Sequence, residues 1–258
     1  MKRVVIIGSG NLAEALARAI AKSDLELVQI FARNTERART VAAVAATAWT
    51  SEPEKLSDAD IYLIAVSDKA VREVAARLPI PEKAAVAHTA GCVPLEALPA
   101  KFTRRAVFYP MQTFTKGRKV DFSKIPLLLE TRDEAFREEL EAFARRLSPK
   151  VIWADSERRA KVHLAAVFAC NFANHMYAIG ERIVRSAGLD FDVLKPLIRE
   201  TAAKALIAPS PAKVQTGPAV RNDFATKARH GDLLSFDLQL KNMYSLISQS
   251  IWETSKKI

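Results

Sequence analysis

The sequence predicts an α/β fold in which a doubly wound, mostly parallel sheet is followed by an all-helical domain. As far as residue 154, short apolar runs rich in β-branched residues alternate with Ala- and Leu-rich segments of helical length. From Ser156 onward this alternation stops, and helical segments separated by Gly and Pro residues follow one another. We therefore expect two domains, residues 1–154 and residues 155–258.

The first half is predicted to consist of repeated strand–helix–strand units. Val4–Ile7 is typical of a buried parallel strand, since four β-branched residues end at a glycine, and Asn11–Lys22 has the composition of a helix. Further strands are predicted at Leu25–Ala32, Ile61–Val66, Ala84–Ala87, Val107–Tyr109, Leu127–Leu129 and Val151–Trp153. Further helices are predicted at Glu36–Ala46, Lys69–Leu78, Glu134–Leu147, Ser156–Ala187, Asp192–Ala208, Asp223–His230 and Phe236–Thr254.

Charge and composition narrow the functional class. The chain has 258 residues and a net charge of +10, and the excess is shared equally between residues 1–154 and 155–258. Because no basic tail or block is present, we expect no nucleic-acid partner but a small anionic one. No apolar run is long enough for a membrane span, and the run after the N-terminus is too short for a signal-peptide core. Cys92 and Cys170 make no metal-ligand spacing, so we expect a cytoplasmic protein without a metal site.

A glycine motif of the form G-x-G-x-x-A follows the first predicted strand. The first glycine allows a tight turn, the second lets a pyrophosphate approach the backbone, and the small last residue lets helix and strand pack closely. The helix that begins there offers free N–H groups and a positive dipole end to phosphates. This context predicts a Rossmann dinucleotide-binding domain. Its expected contacts are Gly8, Ser9, Gly10, Asn11, Leu12 and Ala13.

The end of the second strand predicts which dinucleotide is bound. An NAD site places an acidic residue there for the ribose hydroxyl, whereas this chain has Arg33. A guanidinium suits a 2′-phosphate by its charge and its bidentate geometry, so we expect NADP(H). Asn34, Thr35 and Arg37 follow as further contacts, while a solvated surface arginine is the alternative for Arg33.

The nicotinamide is expected where the next two strands end. Their carboxyl ends lie at the ligand-binding edge of such a sheet, and small residues there let a ring approach. The residues concerned are Val66, Ser67, Thr89, Ala90 and Gly91. Two interpretations of His88 stay open, a catalytic histidine or a strand-end histidine that is hydrogen-bonded to the backbone.

Polar residues in the predicted long helix suggest the catalytic groups. With 100° per residue, His163 and Asn174 lie on one face, and Asn171 lies beside them. We predict that His163 is the proton donor or acceptor, because the pKa of a histidine lies near neutrality, and that Asn171 and Asn174 orient the substrate. The alternative is a set of hydrogen bonds between helices in a dimer core. Substrate contacts are predicted from Tyr109, Gln112, Thr216 and Arg221.

Several motifs together resemble one group of proteins. Gly8–Ala13, Ala65–Asp68, His88–Gly91, Phe108–Phe114, His163–Asn171 and Thr216–Pro218 occur in this order over nearly the whole chain. The sequence resembles bacterial Rossmann-like proteins whose C-terminal half is a domain of unknown function. These are similar to pyrroline-5-carboxylate reductase and, more loosely, to deazaflavin-dependent NADP oxidoreductases and prephenate dehydrogenases. The resemblance implies an NADP-binding domain and a helical domain that forms a homodimer, with the substrate between them.

The resulting hypothesis is hydride transfer between NADP(H) and an imine or carbonyl of a small anionic substrate. The competing hypothesis is a non-catalytic sensor that binds NADPH and signals through its helical domain, since a Rossmann fold does not itself determine a reaction.

Overall fold

The structure of the protein is a computed structural model that describes all residues, 1–258. It contains the predicted sheet, which has eight strands. The strands are β1 (Arg3–Ile7), β2 (Glu26–Phe31), β3 (Ala48–Thr50), β4 (Ile61–Ile64), β5 (Ala85–His88), β6 (Arg105–Pro110), β7 (Leu127–Thr131) and β8 (Val151–Trp153). Their spatial order is β3-β2-β1-β4-β5-β6-β7-β8. Because β1 has β2 on one side and β4 on the other, the strand order reverses at β1, and the carboxyl ends of β1 and β4 flank the position where such sheets bind ligands.

Two neighbouring strands, β7 and β8, run against the other six. β7 pairs with β6 in antiparallel fashion, whereas every other pair in the sheet is parallel. The chain between β6 and β7 contains only the short 3₁₀ turn Phe122–Lys124 and no crossover helix. Since parallel neighbours need a crossover, the return is antiparallel. The short edge strand β3 was not predicted.

Five helices belong to this part of the chain, namely α1 (Asn11–Ile20), α2 (Thr35–Val44), α3 (Val71–Arg77), α4 (Glu134–Arg145) and α5 (Ser156–Ala166). The side chains of Asn34, Asp133 and Asp155 accept hydrogen bonds from the first turns of α2, α4 and α5 and so define where these helices begin. Apolar side chains cover both faces of the sheet, in one cluster around Ile6 and another around Val5. The five helices and the two apolar clusters thus fix the positions of the carboxyl ends of the strands.

The predicted long helix is present but contains a π-helical segment. α5 continues into the π segment Val167–Phe172 and then into α6 (Ala173–Ser186). A π segment accommodates one additional residue, so side chains beyond it are turned by about 100° relative to an uninterrupted α-helix. The 3.6-residue periodicity assumed from the sequence therefore does not extend across this segment.

The chain divides into two compact units, Met1–Asn174 and His175–Ile258. The predicted boundary near residue 154 stays a prediction. In the second unit, α6 is followed by α7 (Lys195–Ile207), α8 (Phe224–Leu233) and α9 (Leu238–Ser255), with 3₁₀ turns at Phe191–Leu194 and Pro211–Val214. This unit buries only Ala219, Leu234, Leu240 and Ser248. None of the helices is both long enough and apolar enough to cross a membrane.

Candidate active site

The glycine turn after β1 can be built only with a glycine at its first position. Gly8 has φ +131° and donates its N–H to the Phe31 carbonyl at 2.7 Å. A Cβ at Gly8 would lie 2.2 Å from the Ala65 carbonyl oxygen. The turn therefore packs directly on the end of β4.

The helix that follows this turn offers unshielded backbone donors. A Cβ at Gly10 would meet no atom within 4 Å, and Gly10 caps α1 without any side-chain hydrogen bond. The N–H groups of Asn11, Leu12 and Ala13 at the start of α1 thus lack a capping side chain. Open space beside the free N–H groups of a helix is the environment that a pyrophosphate requires. These residues fit the phosphates of a dinucleotide.

A cavity of about 410 Å³ lies beside the turn. Six of the predicted cofactor residues line it, namely Gly8, Ser9, Arg33, Asn34, Val66 and Ser67. Apolar walls come from Phe31, Val74 and Leu78, and Arg33 is exposed at its edge. An apolar slot with a cation at its rim fits an adenosine that carries a 2′-phosphate. The ion pair between Glu73 and Arg77 lies at the same cavity and was not predicted.

Arg37 and Asn34 have structural contacts in addition to their predicted roles. The Arg37 guanidinium donates to the Ser9 carbonyl at 3.3 Å and to the Glu14 carboxylate at 3.2 Å, while the Asn34 side chain accepts from the Arg37 N–H. Glu14 is buried, which raises its pKa, but hydrogen bonds from Arg18 and Arg37 together hold that pKa below its usual range. A phosphate contact from Arg37 would therefore compete with the bonds that stabilise the glycine turn.

The residues after β5 are closely packed. Thr89, Ala90 and Gly91 are buried, and the N–H and hydroxyl of Thr89 both donate to the Ile64 carbonyl. His88 is fully buried, and its Nδ1 accepts from the Ala90 N–H at 3.3 Å. Burial and the nearby charge of Arg159 lower the pKa of His88 to about 4. These contacts favour the strand-end interpretation of His88 over the catalytic one.

Three predicted site residues come into contact at the end of β6. The Tyr109 hydroxyl lies 3.0 Å from His163 Nδ1, and the two rings meet edge-on with centroids 5.8 Å apart. A Cβ at Gly91 would lie only 2.4 Å from His163 Nδ1, so the glycine makes room for the imidazole. Burial raises the pKa of Tyr109, which therefore keeps its proton and can donate it to Nδ1. In this arrangement the neutral imidazole carries its own proton on Nε2.

The other predicted site residues are not brought into this contact. Asn171 lies within the π segment and Asn174 follows it, and both side chains are exposed. The Gln112 side chain accepts from the Thr113 N–H at 2.8 Å. Thr216 and Arg221 belong to the second unit and are exposed there. Their assignments stay predictions, as does that of Thr35, which is exposed at the start of α2.

Sequence reasoning missed a buried ion pair next to these residues. Arg159, one helical turn before His163, is fully buried and pairs with Glu130 on β7. Since charged side chains are nearly always exposed, Arg159 and Glu130 were not expected to be buried and paired. The only signal in the sequence was the four-residue spacing between Arg159 and His163, which places both on one side of α5.

The comparisons with known proteins agree with this geometry. Residues 3–91 match the family described as NADP oxidoreductase, coenzyme F420-dependent, and residues 125–251 match a domain of unknown function, DUF2520. A Bacteroides fragilis protein to which an NADP oxidoreductase function has been ascribed is 38% identical, with 98% of each chain covered and a TM-score of 0.88. The chain belongs to this NADP oxidoreductase family. The resemblance indicated by the motifs and the Rossmann fold are both confirmed.

More distant structures share the fold of this oxidoreductase. A pyrroline-5-carboxylate reductase from Coxiella burnetii is 14% identical, with 96% of this chain and 97% of that chain covered and a TM-score of 0.55. An imine reductase variant from Myxococcus stipitatus, in complex with NAD⁺, is 14% identical, with 100% and 94% covered and a TM-score of 0.61. No curated protein sequence matches the chain.

Proposed function

We propose that this oxidoreductase uses NADP(H) and transfers hydride to or from an imine or carbonyl carbon of a small anionic substrate. The observation that carries the proposal is the contact of His163 with Tyr109 and Gly91 at the carboxyl ends of β5 and β6. An ionisable group at that edge of a dinucleotide-binding sheet stands where proton transfer must accompany hydride transfer. The cofactor, when bound, supplies or accepts the hydride.

Different residues are proposed to hold the phosphates and the nicotinamide of the cofactor. Gly8–Ala13 would take the pyrophosphate at the start of α1, and Arg33 would take the 2′-phosphate. The nicotinamide would be held by Val66, Ser67, Thr89, Ala90 and Gly91.

His163 is proposed to hold and move the proton. In the protonated ring, Nδ1–H donates to Tyr109 Oη and Nε2–H donates to the nitrogen or oxygen of the substrate. In the neutral ring, the Tyr109 hydroxyl donates to Nδ1 instead. Because a hydroxyl can donate and accept, the bond persists in both charge states. Asn171 and Asn174 would orient the substrate, while Gln112, Thr216 and Arg221 would bind its polar and anionic groups.

Calorimetric titration tests the cofactor assignment. We expect NADPH to bind at least tenfold more tightly than NADH, a preference of about 1.4 kcal/mol, and we expect Arg33→Ala to abolish it. Arg39→Ala, which changes an exposed arginine outside the cavity, is the matched control and should leave the preference intact. NADH binding more tightly than NADPH would contradict the assignment.

A screen of NADPH oxidation with imino and keto acids tests the reaction. His163→Ala should lower turnover of the substrate found while leaving NADPH affinity within twofold. Unchanged turnover would exclude His163 as the proton donor. If NADPH binds but no substrate is turned over, and if NADPH instead changes the oligomeric state, the sensor hypothesis is favoured.

We further propose that a second copy of the chain covers the helical unit. This unit of 84 residues buries four, and Leu206, Ile207 and Phe224 are each at least 80% exposed. The chain exposes 15119 Å². Two compact bodies of these sizes would expose roughly 13,400 Å² even without touching. This excess of total surface and the exposed apolar side chains of the helical unit are what an interface with a second copy would cover.

Light scattering after size exclusion tests the dimer. The wild-type chain should have twice the mass of one chain. Ile207→Asp should dissociate it, whereas Lys213→Asp, at an exposed polar position of the same unit, should not. A monomeric wild-type protein would contradict this proposal.

A further inference from the structure

We propose that Arg159 is a positioning residue whose ion pair with Glu130 sets the register of α5 on the sheet and thereby places the His163 imidazole against Tyr109. The inference rests on the proposed function only in assigning the proton transfer to His163. The contact that Arg159 is proposed to control can be measured without any substrate.

Arg159 joins three elements through one guanidinium. Its Nη1 donates to the Glu130 carboxylate on β7, its Nε donates to the Gly91 carbonyl at 3.2 Å, and its Nη2 donates to the Val93 carbonyl. The Ser156 hydroxyl, in the first turn of α5, also donates to Glu130, at 2.9 and 3.0 Å. The start of α5 is thus bound to β7 and to the segment after β5 at the same time.

The sheet places these groups in one row. His88 on β5 pairs with Val107 on β6, and Val107 pairs with Glu130 on β7. Paired residues of neighbouring strands point to the same face, so His88 and Glu130 flank Val107 on the face that Arg159 covers. Tyr109 lies two residues further along β6 and points to the same face.

The helical spacing matches the strand spacing. Arg159 and His163 are four residues apart, about 6 Å along a helix. Val107 and Tyr109 are two residues apart, about 6.6 Å along a strand. When Arg159 is held beside the Val107 row, His163 therefore reaches Tyr109.

Burial makes this register specific. A buried charge without a partner is strongly unfavourable, and the only carboxylate paired with Arg159 is that of Glu130. A shift of α5 by one residue would turn its side chains by about 100° and separate the two charges. The pair therefore sets the alignment of α5 on the sheet. Specifying register in this way is the best-supported role of buried ion pairs in proteins.

Arg159→Lys is the discriminating substitution. A lysine keeps the charge, but a single ammonium group cannot reproduce the planar fork that reaches Glu130, Gly91 and Val93 together. The readout is the pair of ¹⁵N chemical shifts of the His163 ring at pH 7.5 in the full-length protein labelled with [¹⁵N]histidine, with His163→Gln for assignment. Tyr109→Phe supplies the reference shifts of an imidazole released from its partner.

We expect the His163 shifts of Arg159→Lys to move to those of Tyr109→Phe. The pair between the exposed Arg145 and the half-buried Glu141 provides the control, because Arg145→Lys should leave the His163 shifts at their wild-type values. Wild-type shifts in a folded Arg159→Lys protein would overturn the proposal. If this variant does not fold, Glu130→Gln, which keeps the volume and removes the charge, is measured in the same way and decides the question by the same criterion.

Affinity and turnover separate this inference from the proposed function. Arg159 does not line the nucleotide cavity, so the preference for NADPH over NADH that is assigned to Arg33 should be unchanged in Arg159→Lys. Once a substrate has been found, the kcat of Arg159→Lys should be at least tenfold below that of the wild type, with little change in KM. If the shifts move as expected but His163→Ala retains full turnover, the proposed function is wrong and the positioning role stands.

Discussion

Mild acid should destabilise the first unit through His88. The pKa of His88 is about 4 in the folded protein, against an ordinary value of 6.5, because of burial and the charge of Arg159. The native state thus binds fewer protons than the unfolded state. The stabilisation is complete above pH 6.5 and is lost as the pH falls from 6.5 towards 4. The full difference is about 3 kcal/mol, of which about 2 kcal/mol is lost by pH 5.

The comparison of wild type with His88→Asn isolates this effect. The asparagine oxygen can replace Nδ1 as the acceptor for the Ala90 N–H, but it cannot become charged. Urea unfolding at pH 7.5 and pH 5.0 is followed by fluorescence in a Trp252→Phe background, so that Trp49 and Trp153 report on the first unit. Between the two pH values, the wild type should lose about 2 kcal/mol more of its unfolding free energy than the variant.

The matched control is His175→Asn, at an exposed histidine of the second unit, which should behave like the wild type. An equal loss of stability in the wild type and His88→Asn would show that His88 is not held neutral by the fold. The reasoning from burial and the neighbouring guanidinium would then be wrong.

Two further predictions concern glycines. Gly8→Ala should lower the unfolding free energy by at least about 2 kcal/mol in urea titrations, since its Cβ would clash with the Ala65 carbonyl at a positive φ. Gly10→Ala should leave the unfolding free energy unchanged and weaken the binding of NADPH measured by calorimetry. Gly91→Ala should displace the imidazole of His163 and shift its ¹⁵N signals, while the signals of the other three histidines stay at their wild-type positions as a sign that the rest of the fold is intact. Wild-type shifts of His163 would contradict the contact.

Local patterns in the sequence were sufficient for much of the fold. The run Val4–Ile7 followed by a glycine turn specifies β1 and the start of α1, because β-branched residues and a required positive φ act over a few residues. The reversed direction of β7, and with it that of β8, could not be predicted, because it depends on how residues 111–126 connect two strands of similar composition. The sequence around Val167 likewise gave no sign of a π segment, since no residue type marks one.

The candidate site, like the fold, could be predicted only in part from the sequence. His163, Tyr109 and Gly91 could each be selected from their type and their place at the ends of predicted elements. Their contact could not be, because it depends on which strands are neighbours and on how a helix lies over them. Arg159 and Glu130 were missed because their pairing depends on how α5 lies over β7.

The π segment between His163 and Asn174 makes this helix tolerant of a change in chain length. Because the segment accommodates one additional residue, deleting one residue there, for example Ala169, would restore a continuous α-helix and leave Asn174 at about the same angle and height relative to His163. The Tyr109 contact precedes the deletion and would be preserved. A chain one residue shorter would thus differ only within the segment itself, so this stretch of the helix can be shortened without moving the side chains on either side of it.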